Sequence, residues 1–162
     1  MLQIFYEARE LNFEKLCAVY RESILQEANE TYNKEECAAA LHRAETDFEA
    51  YIREVFFQLT GTFYAVWTED GQYLAALRME LYRDGYLLTS LETAPDHRRR
   101  GYAEKLVLEV AAFVGKTVYA HVHKKNAASL ALHHKCGFQQ ILDYAVFLDG
   151  TVSQRAWTLC LR

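Results

Sequence analysis

Three consecutive arginines followed by a glycine form the segment of this sequence with the clearest chemical potential. Arg98, Arg99 and Arg100 precede Gly101, and the next residues predict an amphipathic helix. The free N–H groups at a helix start and the positive end of its dipole favour an anion. Gly101 allows close backbone approach or a positive φ. The segment therefore predicts a phosphate-binding loop.

A second segment, Asn126 to Phe138, predicts a short helix with a polar stripe. Asn126 is a favourable N-cap, and Gly137 is a typical residue at a helix end. Asn126, Ser129 and His133 lie on one side of this helix, because residues seven apart nearly eclipse one another. Polar residues gathered on one side of an otherwise apolar helix indicate a wall that faces a ligand.

Both segments resemble motifs of the GNAT superfamily of N-acetyltransferases. Arg98-x-x-Gly101-x-Ala103 is similar to the family's Arg/Gln-x-x-Gly-x-Gly/Ala loop, and the helix is similar to its Asn-x-x-Ser/Ala-x-x-Leu-Tyr-x-Lys-x-Gly-Phe segment. The resemblance covers residues 60 to 162 well. It implies acetyl-CoA as cosubstrate, with its pyrophosphate on the loop amides. The implied acetyl-CoA-binding residues are Leu91, Thr93, Arg98, Arg99, Arg100, Gly101, Tyr102, Ala103, Asn126 and Ser129.

The chemistry that the resemblance implies is direct attack of an acceptor amine on the thioester. An N–H group on the strand Leu91 to Thr93 is the implied oxyanion donor. Glu92 is the candidate base, since apolar neighbours would raise its pKa towards neutrality. The alternative role for Glu92 is a structural ion pair with an arginine such as Arg78 or Arg99.

His133 occupies the position where the family usually carries a tyrosine. An imidazole can donate a proton to the departing thiolate, so His133 is the candidate acid. The alternatives are a hydrogen bond to the CoA sulfur or a packed histidine without a role, because a thiolate leaves tolerably without an acid. The missing tyrosine also leaves open a module that binds or senses acyl-CoA without catalysis. A third hypothesis is a domain whose arginine loop binds another anion.

Composition agrees with a single domain over residues 1–162. The chain carries a net charge of −4, which argues against a general nucleic-acid binder. It has one proline and no linker-like segment, and no run is long enough for a membrane span. Four cysteines without paired spacing indicate reduced thiols and a cytoplasmic location. His121 and His123 share a strand face, but nothing completes a ligand set, so no metal is expected.

The periodicity predicts an α/β (α+β) fold with helices flanking a mixed, mostly antiparallel sheet. Helices are predicted over Asn12 to Gln26 and Lys34 to Glu54, and β-rich runs follow from Thr62. Three Asp-Gly pairs predict hairpins, and the passage from Tyr86 to Val122 predicts one parallel pair. The resemblance implies a splayed, GNAT-like central sheet. Further strands are expected at Gln3 to Tyr6, Phe138 to Leu148 and Val152 to Leu161.

The acceptor is the least defined part of the expected reaction. It is expected to be an amine of a small molecule, peptide or protein. In the family the first helices and the last hairpin wall the acceptor site, and acidic or aromatic residues there would suit a cationic amine. An exposed edge strand near Val152 to Leu161 suggests a homodimer. The residues that these helices offer are Tyr20, Glu27, Glu30, Tyr32, Asp47 and Tyr51.

Overall fold

The computed structural model describes residues 1–162 as nine strands, five α-helices and three short 3-10 turns. The strands are β1 (Leu2–Phe5), β2 (Phe63–Glu69), β3 (Gln72–Tyr82), β4 (Gly85–Thr93), β5 (Val118–His123), β6 (Gln139–Leu142), β7 (Ala145–Val146), β8 (Val152–Ser153) and β9 (Ala156–Leu161). The α-helices are α1 (Phe13–Val19), α2 (Arg21–Thr31), α3 (Cys37–Glu54), α4 (Tyr102–Val114) and α5 (Ala127–Lys135).

Seven strands form one sheet in the order β1-β2-β3-β4-β5-β9-β6, and β7 pairs with β8 separately. Every neighbouring pair is antiparallel except β4 and β5. Asp70 and Gly71 both have positive φ, 49° and 74°, which makes the β2–β3 connection a type I′ turn. The mixed, mostly antiparallel sheet is therefore confirmed.

The parallel pair β4–β5 separates after a short ladder. Its three partner pairs begin at Tyr86–Val118 and end at Leu88–Ala120. The two strands start so close together that a Cβ on Gly85 would lie 1.9 Å from the Thr117 oxygen. Beyond Leu88, β4 carries a bulge opposite β3, in which Ser90 adopts a φ of 50°. The splayed sheet is the result, and the open ends of β4 and β5 form a gap.

Helices cover the two faces of the sheet. Tyr64 and Val66 pack in the core beneath α1, α2 and α3, whereas Ala65, Leu77 and Leu88 pack beneath α4. Alternate residues of the strands thus enter two separate cores, as strand geometry requires. Both faces of β2 and β3 are buried, which explains why these strands are almost continuously apolar.

Several predicted elements differ from the structure. The expected strand Phe138 to Leu148 is divided into β6 and β7, and the expected strand Val152 to Leu161 into β8 and β9. The single helix over Asn12 to Gln26 is wrong: α1 ends at Val19 and α2 begins at Arg21, because Tyr20 leaves the helical geometry and its hydroxyl donates to the Ser90 oxygen at 2.7 Å. The exposed edge near Val152 to Leu161 is also wrong for β9, which pairs with β5 and β6 on its two sides.

Candidate active site

A cleft opens where β4 leaves β5. It has a volume of about 510 Å³ and is bounded by the end of β4, the start of α4, one side of α5 and the outer side of α2. The predicted site residues that line it are Leu91, Glu92, Thr93, Arg98, Ala103, Asn126 and Ser129. The fold therefore brings together predicted site residues that lie up to 38 positions apart in the chain, since Leu91 and Ser129 line the same cleft.

The start of α4 offers several main-chain donors to this cleft. The first helical hydrogen bond runs from Lys105 N to the Gly101 oxygen at 3.0 Å, so the N–H groups of the preceding helical residues have no intrahelical acceptor. No side chain caps the helix. Arg99 and Gly101 have φ values of 60° and 81° with a residue of ordinary φ between them. Such alternation turns successive N–H groups into a concavity that binds anions.

Gly101 is required for its backbone angle. A φ of 81° lies in the region that L side chains rarely adopt. A Cβ on Gly101 would meet no heavy atom of the protein within 4 Å, so the space beside the backbone is open to an anion.

The three arginines have different surroundings. Arg98 forms an ion pair with Glu22 at 2.6 Å and lines the cleft, so α2 holds it in place. Arg99 and Arg100 are exposed and have no carboxylate within 4.0 Å. Tyr102 donates its hydroxyl to Glu69 at 2.9 Å, which leaves its main-chain N–H as its contribution to the loop. Two unpaired guanidinium groups beside free amides fit the phosphates of a CoA molecule.

Helix α5 forms the opposite wall. The Asn126 side chain accepts a hydrogen bond from Ser129 N at 3.1 Å, which confirms the predicted N-cap. An ion pair of 2.6 Å between Lys135 and Glu104 joins α5 to α4. This exposed pair links the two helices that bear the predicted motifs.

The structure does not bring His133 into the cleft. Its side chain is 3% exposed and packs edge-on against Phe138, with ring centroids 5.0 Å apart. Nδ1 lies 2.8 Å from the Ser129 carbonyl oxygen, so Nδ1 carries the proton and the unpartnered Nε2 does not. Burial lowers the pKa of His133, which disfavours the imidazolium form that an acid requires. The acid role stays a prediction that this geometry does not support.

Glu92 lines the cleft at the end of β4. It is half-buried, accepts a hydrogen bond from the Ser23 hydroxyl and forms no ion pair. Burial raises its pKa, an effect that the Ser23 hydrogen bond and the positive charge of Arg98 partly oppose. The direction of this shift is the one expected from the sequence, and Glu92 forms no ion pair with Arg78 or Arg99.

Sequence reasoning missed the contribution of α2. Glu22, Ser23 and Gln26 line the cleft, although on the sequence they are ordinary polar residues of an exposed helix face. The only available signal was their spacing of one helical turn, which many solvated helices share. Of the predicted acceptor-side residues, Tyr20, Glu27, Asp47 and Tyr51 line a neighbouring cavity. Glu30 and Tyr32 do not line it, but the Tyr32 hydroxyl donates to Asp47.

Neither a metal centre nor a membrane-spanning helix is found. No group of three or more His, Cys, Asp or Glu side chains is placed to hold a metal ion. No helix combines the length and apolar character needed to cross a membrane.

Comparison with known proteins identifies the family and its fold. Residues 21–138 match the acetyltransferase (GNAT) family. The PaiA N-acetyltransferase from Thermoplasma acidophilum, solved in complex with coenzyme A, has a similar structure, with a TM-score of 0.64, 13% identity, and coverage of 100% of this chain and 99% of that one. No curated protein matches the sequence.

Two further solved structures show the same fold. The ribosomal-protein-S18-alanine N-acetyltransferase from Escherichia coli has a TM-score of 0.56 and 22% identity, with coverage of 99% and 93% of the two chains. A streptothricin acetyltransferase homologue from Bacillus anthracis, solved with acetyl coenzyme A, has a TM-score of 0.54 and 12% identity, with coverage of 69% and 70%. The chain belongs to the GNAT family of acetyltransferases.

Proposed function

We propose that this protein transfers an acetyl group from acetyl-CoA to an amine, with Glu92 as the base. The observation that carries the proposal is the position of Glu92 between the anion-binding start of α4 and a second cavity beneath α2 and α3. Ser23, the hydrogen-bond partner of Glu92, lines both cavities. A carboxylate at this junction can receive the proton of an ammonium group that approaches from the second cavity.

Different segments of the chain bind acetyl-CoA and stabilise the oxyanion. The free amides at the start of α4, together with Arg99 and Arg100, hold the phosphates of acetyl-CoA, which supplies the activated thioester. The bulge leaves Ser90 and Leu91 opposite Leu77 alone, so this part of β4 is outside the regular ladder. The Ser90 carbonyl oxygen already accepts a hydrogen bond from the Tyr20 hydroxyl. We assign the oxyanion donor to an N–H group of this bulged segment.

A binding measurement separates this function from simple anion binding. Acetyl-CoA at about 100 times its Kd stabilises the folded state by about 2.7 kcal/mol, which corresponds to a rise in Tm of about 5–10 °C. Matched phosphate and sulfate should give a much smaller rise. No rise with acetyl-CoA would contradict the proposal and leave a domain that binds another anion.

Release of free thiol in the presence of an amine panel then separates an enzyme from an acyl-CoA-binding or sensing module. His133 is buried and does not line the cleft, so no proton donor from this position faces the cleft. This observation favours the acyl-CoA-binding or sensing module. A rise in Tm without thiol release from any amine would favour the sensing module. The cytoplasmic location and the homodimer stay predictions.

A further inference from the structure

The second cavity has a volume of about 420 Å³ and combines both signs of charge with aromatic walls. It lies between α2, α3 and β3 and meets the cleft at Ser23. Glu27 and Asp47 are exposed carboxylates in its wall, and Arg78 is its single arginine. The full lining is Tyr20, Ser23, Ile24, Glu27, Ala44, Asp47, Phe48, Tyr51 and Arg78.

Arg78 lacks a carboxylate partner. Its guanidinium carbon lies over the rings of Tyr51 and Phe56, 5.2 and 5.6 Å from their centroids. One N–H group donates to the Ser90 hydroxyl, whereas the buried Nε–H has no acceptor. No carboxylate of the protein lies within 4.0 Å of it. A buried donor without a partner is destabilising, so the cavity holds an arginine that still needs an acceptor.

The two carboxylates of the same cavity do not meet this need. Glu27 accepts a hydrogen bond from Thr31 at 2.6 Å, and Asp47 accepts one from Tyr32. Neither forms an ion pair with Arg78. The cavity therefore keeps a positive group and negative groups apart, which suits a ligand that carries both charges.

Arg78 and Glu92 also lie on one side of the sheet. Glu92 pairs with Ala76 across β3 and β4, and Arg78 is two residues further along β3, with the β4 bulge between the two pairings. Arg78 lines the second cavity, and Glu92 accepts a hydrogen bond from Ser23, which lines that cavity too, so a small molecule there can approach both groups. Guanidinium groups bind carboxylates through two parallel hydrogen bonds, which favours a carboxylate over a neutral amide at this position.

We propose that the acceptor is a small amino carboxylate, such as a free amino acid, whose carboxylate binds Arg78 while its amine reaches Glu92. This inference rests on the proposed acetyl transfer. The reaction forms the amide N–C bond and breaks the thioester C–S bond. Glu92 takes the first proton, from the ammonium group, before the attack. The second nitrogen proton leaves as the tetrahedral intermediate collapses and passes to the departing thiolate, so CoA is released as the free thiol.

Pairs of free amino acids and their primary amides test this assignment by thiol release. We expect the KM of the preferred amino acid to be about 10–100-fold below that of its amide, as a charge-assisted bidentate contact predicts. Arg78→Met should raise the KM of the acid to that of the amide and change kcat less. Arg78→Lys should restore part of the preference. Equal use of acids and amides by the wild type would overturn the assignment and leave acetyl transfer intact.

Two further variants distinguish recognition from support of the fold. Arg83 also lies over two rings, those of Tyr82 and Tyr119, at 5.2 and 5.6 Å, but it does not line the cavity. Arg83→Met should therefore leave the preference for acids unchanged. Ser90→Ala removes the hydroxyl partner of Arg78. If Arg78 only supports the bulge, Arg78→Met and Ser90→Ala would lower the rates for acids and amides alike, which would overturn the assignment.

The acetyl-CoA-dependent rise in Tm separates the assignment of the acceptor from the proposed acetyl transfer. Arg78→Met should retain this rise, because Arg78 does not line the cleft. A rise in Tm combined with transfer to simple amines but not to amino acids would contradict the carboxylate assignment alone. A rise without transfer to any acid, amide or simple amine would contradict both the carboxylate assignment and the proposed function.

Discussion

The two sides of Glu92 are built in different ways. On the proposed cofactor side, the candidate binding groups are main-chain amides at the start of α4 and polar groups at the capped start of α5, which lie in two short segments of the chain. On the proposed acceptor side, the candidates are side chains that extend in sequence from Tyr20 to Arg78. A main-chain site demands particular residues for its geometry, such as Gly101, and therefore leaves a motif. A cavity that is built from side chains leaves no such motif in the sequence.

The largest effect is expected at Gly101, where a substitution should disable the cofactor side alone. Gly101→Glu places a negative charge at the free amides of α4 and forces an unfavourable positive φ. Loss of two charge-assisted hydrogen bonds, about 1.5–3 kcal/mol each, weakens acetyl-CoA binding by roughly 10²–10⁴-fold. Titration calorimetry with acetyl-CoA measures this change.

Gly150→Glu is the matched control for that variant. Gly150 has a φ of 84° and no heavy atom within 4 Å of a built Cβ, and it lies in the turn between β7 and β8. The two variants carry the same added charge and the same backbone strain. Equal loss of acetyl-CoA binding in both would show that the arginine loop is not the phosphate site.

The next effect concerns the junction itself. Glu92→Gln removes the proposed base and keeps the size of the side chain, so kcat should fall by about 10²–10⁴-fold while the rise in Tm with acetyl-CoA persists. Glu80→Gln is the control, because Glu80 is a buried carboxylate on neighbouring β3 that lines neither cavity. Comparable turnover of Glu92→Gln and wild type would remove Glu92 from the chemistry.

The same contrast explains what the sequence could predict. The start of α4 and the N-cap at Asn126 follow from local rules about glycine and capping, whereas the splay of the parallel pair was expected only from the resemblance to the GNAT superfamily. The break at Tyr20 does not follow from local rules, because Leu16, Tyr20 and Ile24 keep the same helical spacing across it. The stripe on α5 was only partly correct: Asn126 and Ser129 face the cleft, whereas His133 is drawn into the core against Phe138. Periodicity places residues on one side of a helix but does not decide what that side faces.

Ser23 gives a smaller effect that links the two sides. Its hydroxyl donates to Glu92 and thereby lowers the pKa of that carboxyl against the upward effect of burial. Ser23→Ala should therefore raise the pKa of Glu92 further. Because the base must be ionised, the acid limb of kcat/KM should move to higher pH in Ser23→Ala and disappear in Glu92→Gln. A downward shift of the limb would contradict the hydrogen bond as the cause.

The smallest effect on turnover is expected at His133, although it was the candidate acid predicted from the sequence. Loss of a true general acid lowers kcat by about 10²-fold or more, whereas His133→Phe should leave kcat unchanged, since His133 does not line the cleft. A fall of that size would return His133 to the mechanism.

The substitution His133→Phe should change the pH dependence of stability and leave turnover unchanged. Burial lowers the folded-state pKa of His133, so the unfolded chain binds the proton more readily. The stability that depends on a neutral His133 is fully present above its unfolded pKa, about 6.5, and is lost as the pH falls below that value. His133→Phe should reduce the loss of unfolding free energy between neutral and mildly acidic pH, measured by denaturant unfolding. His121, whose pKa burial also lowers, would account for part of the loss that remains.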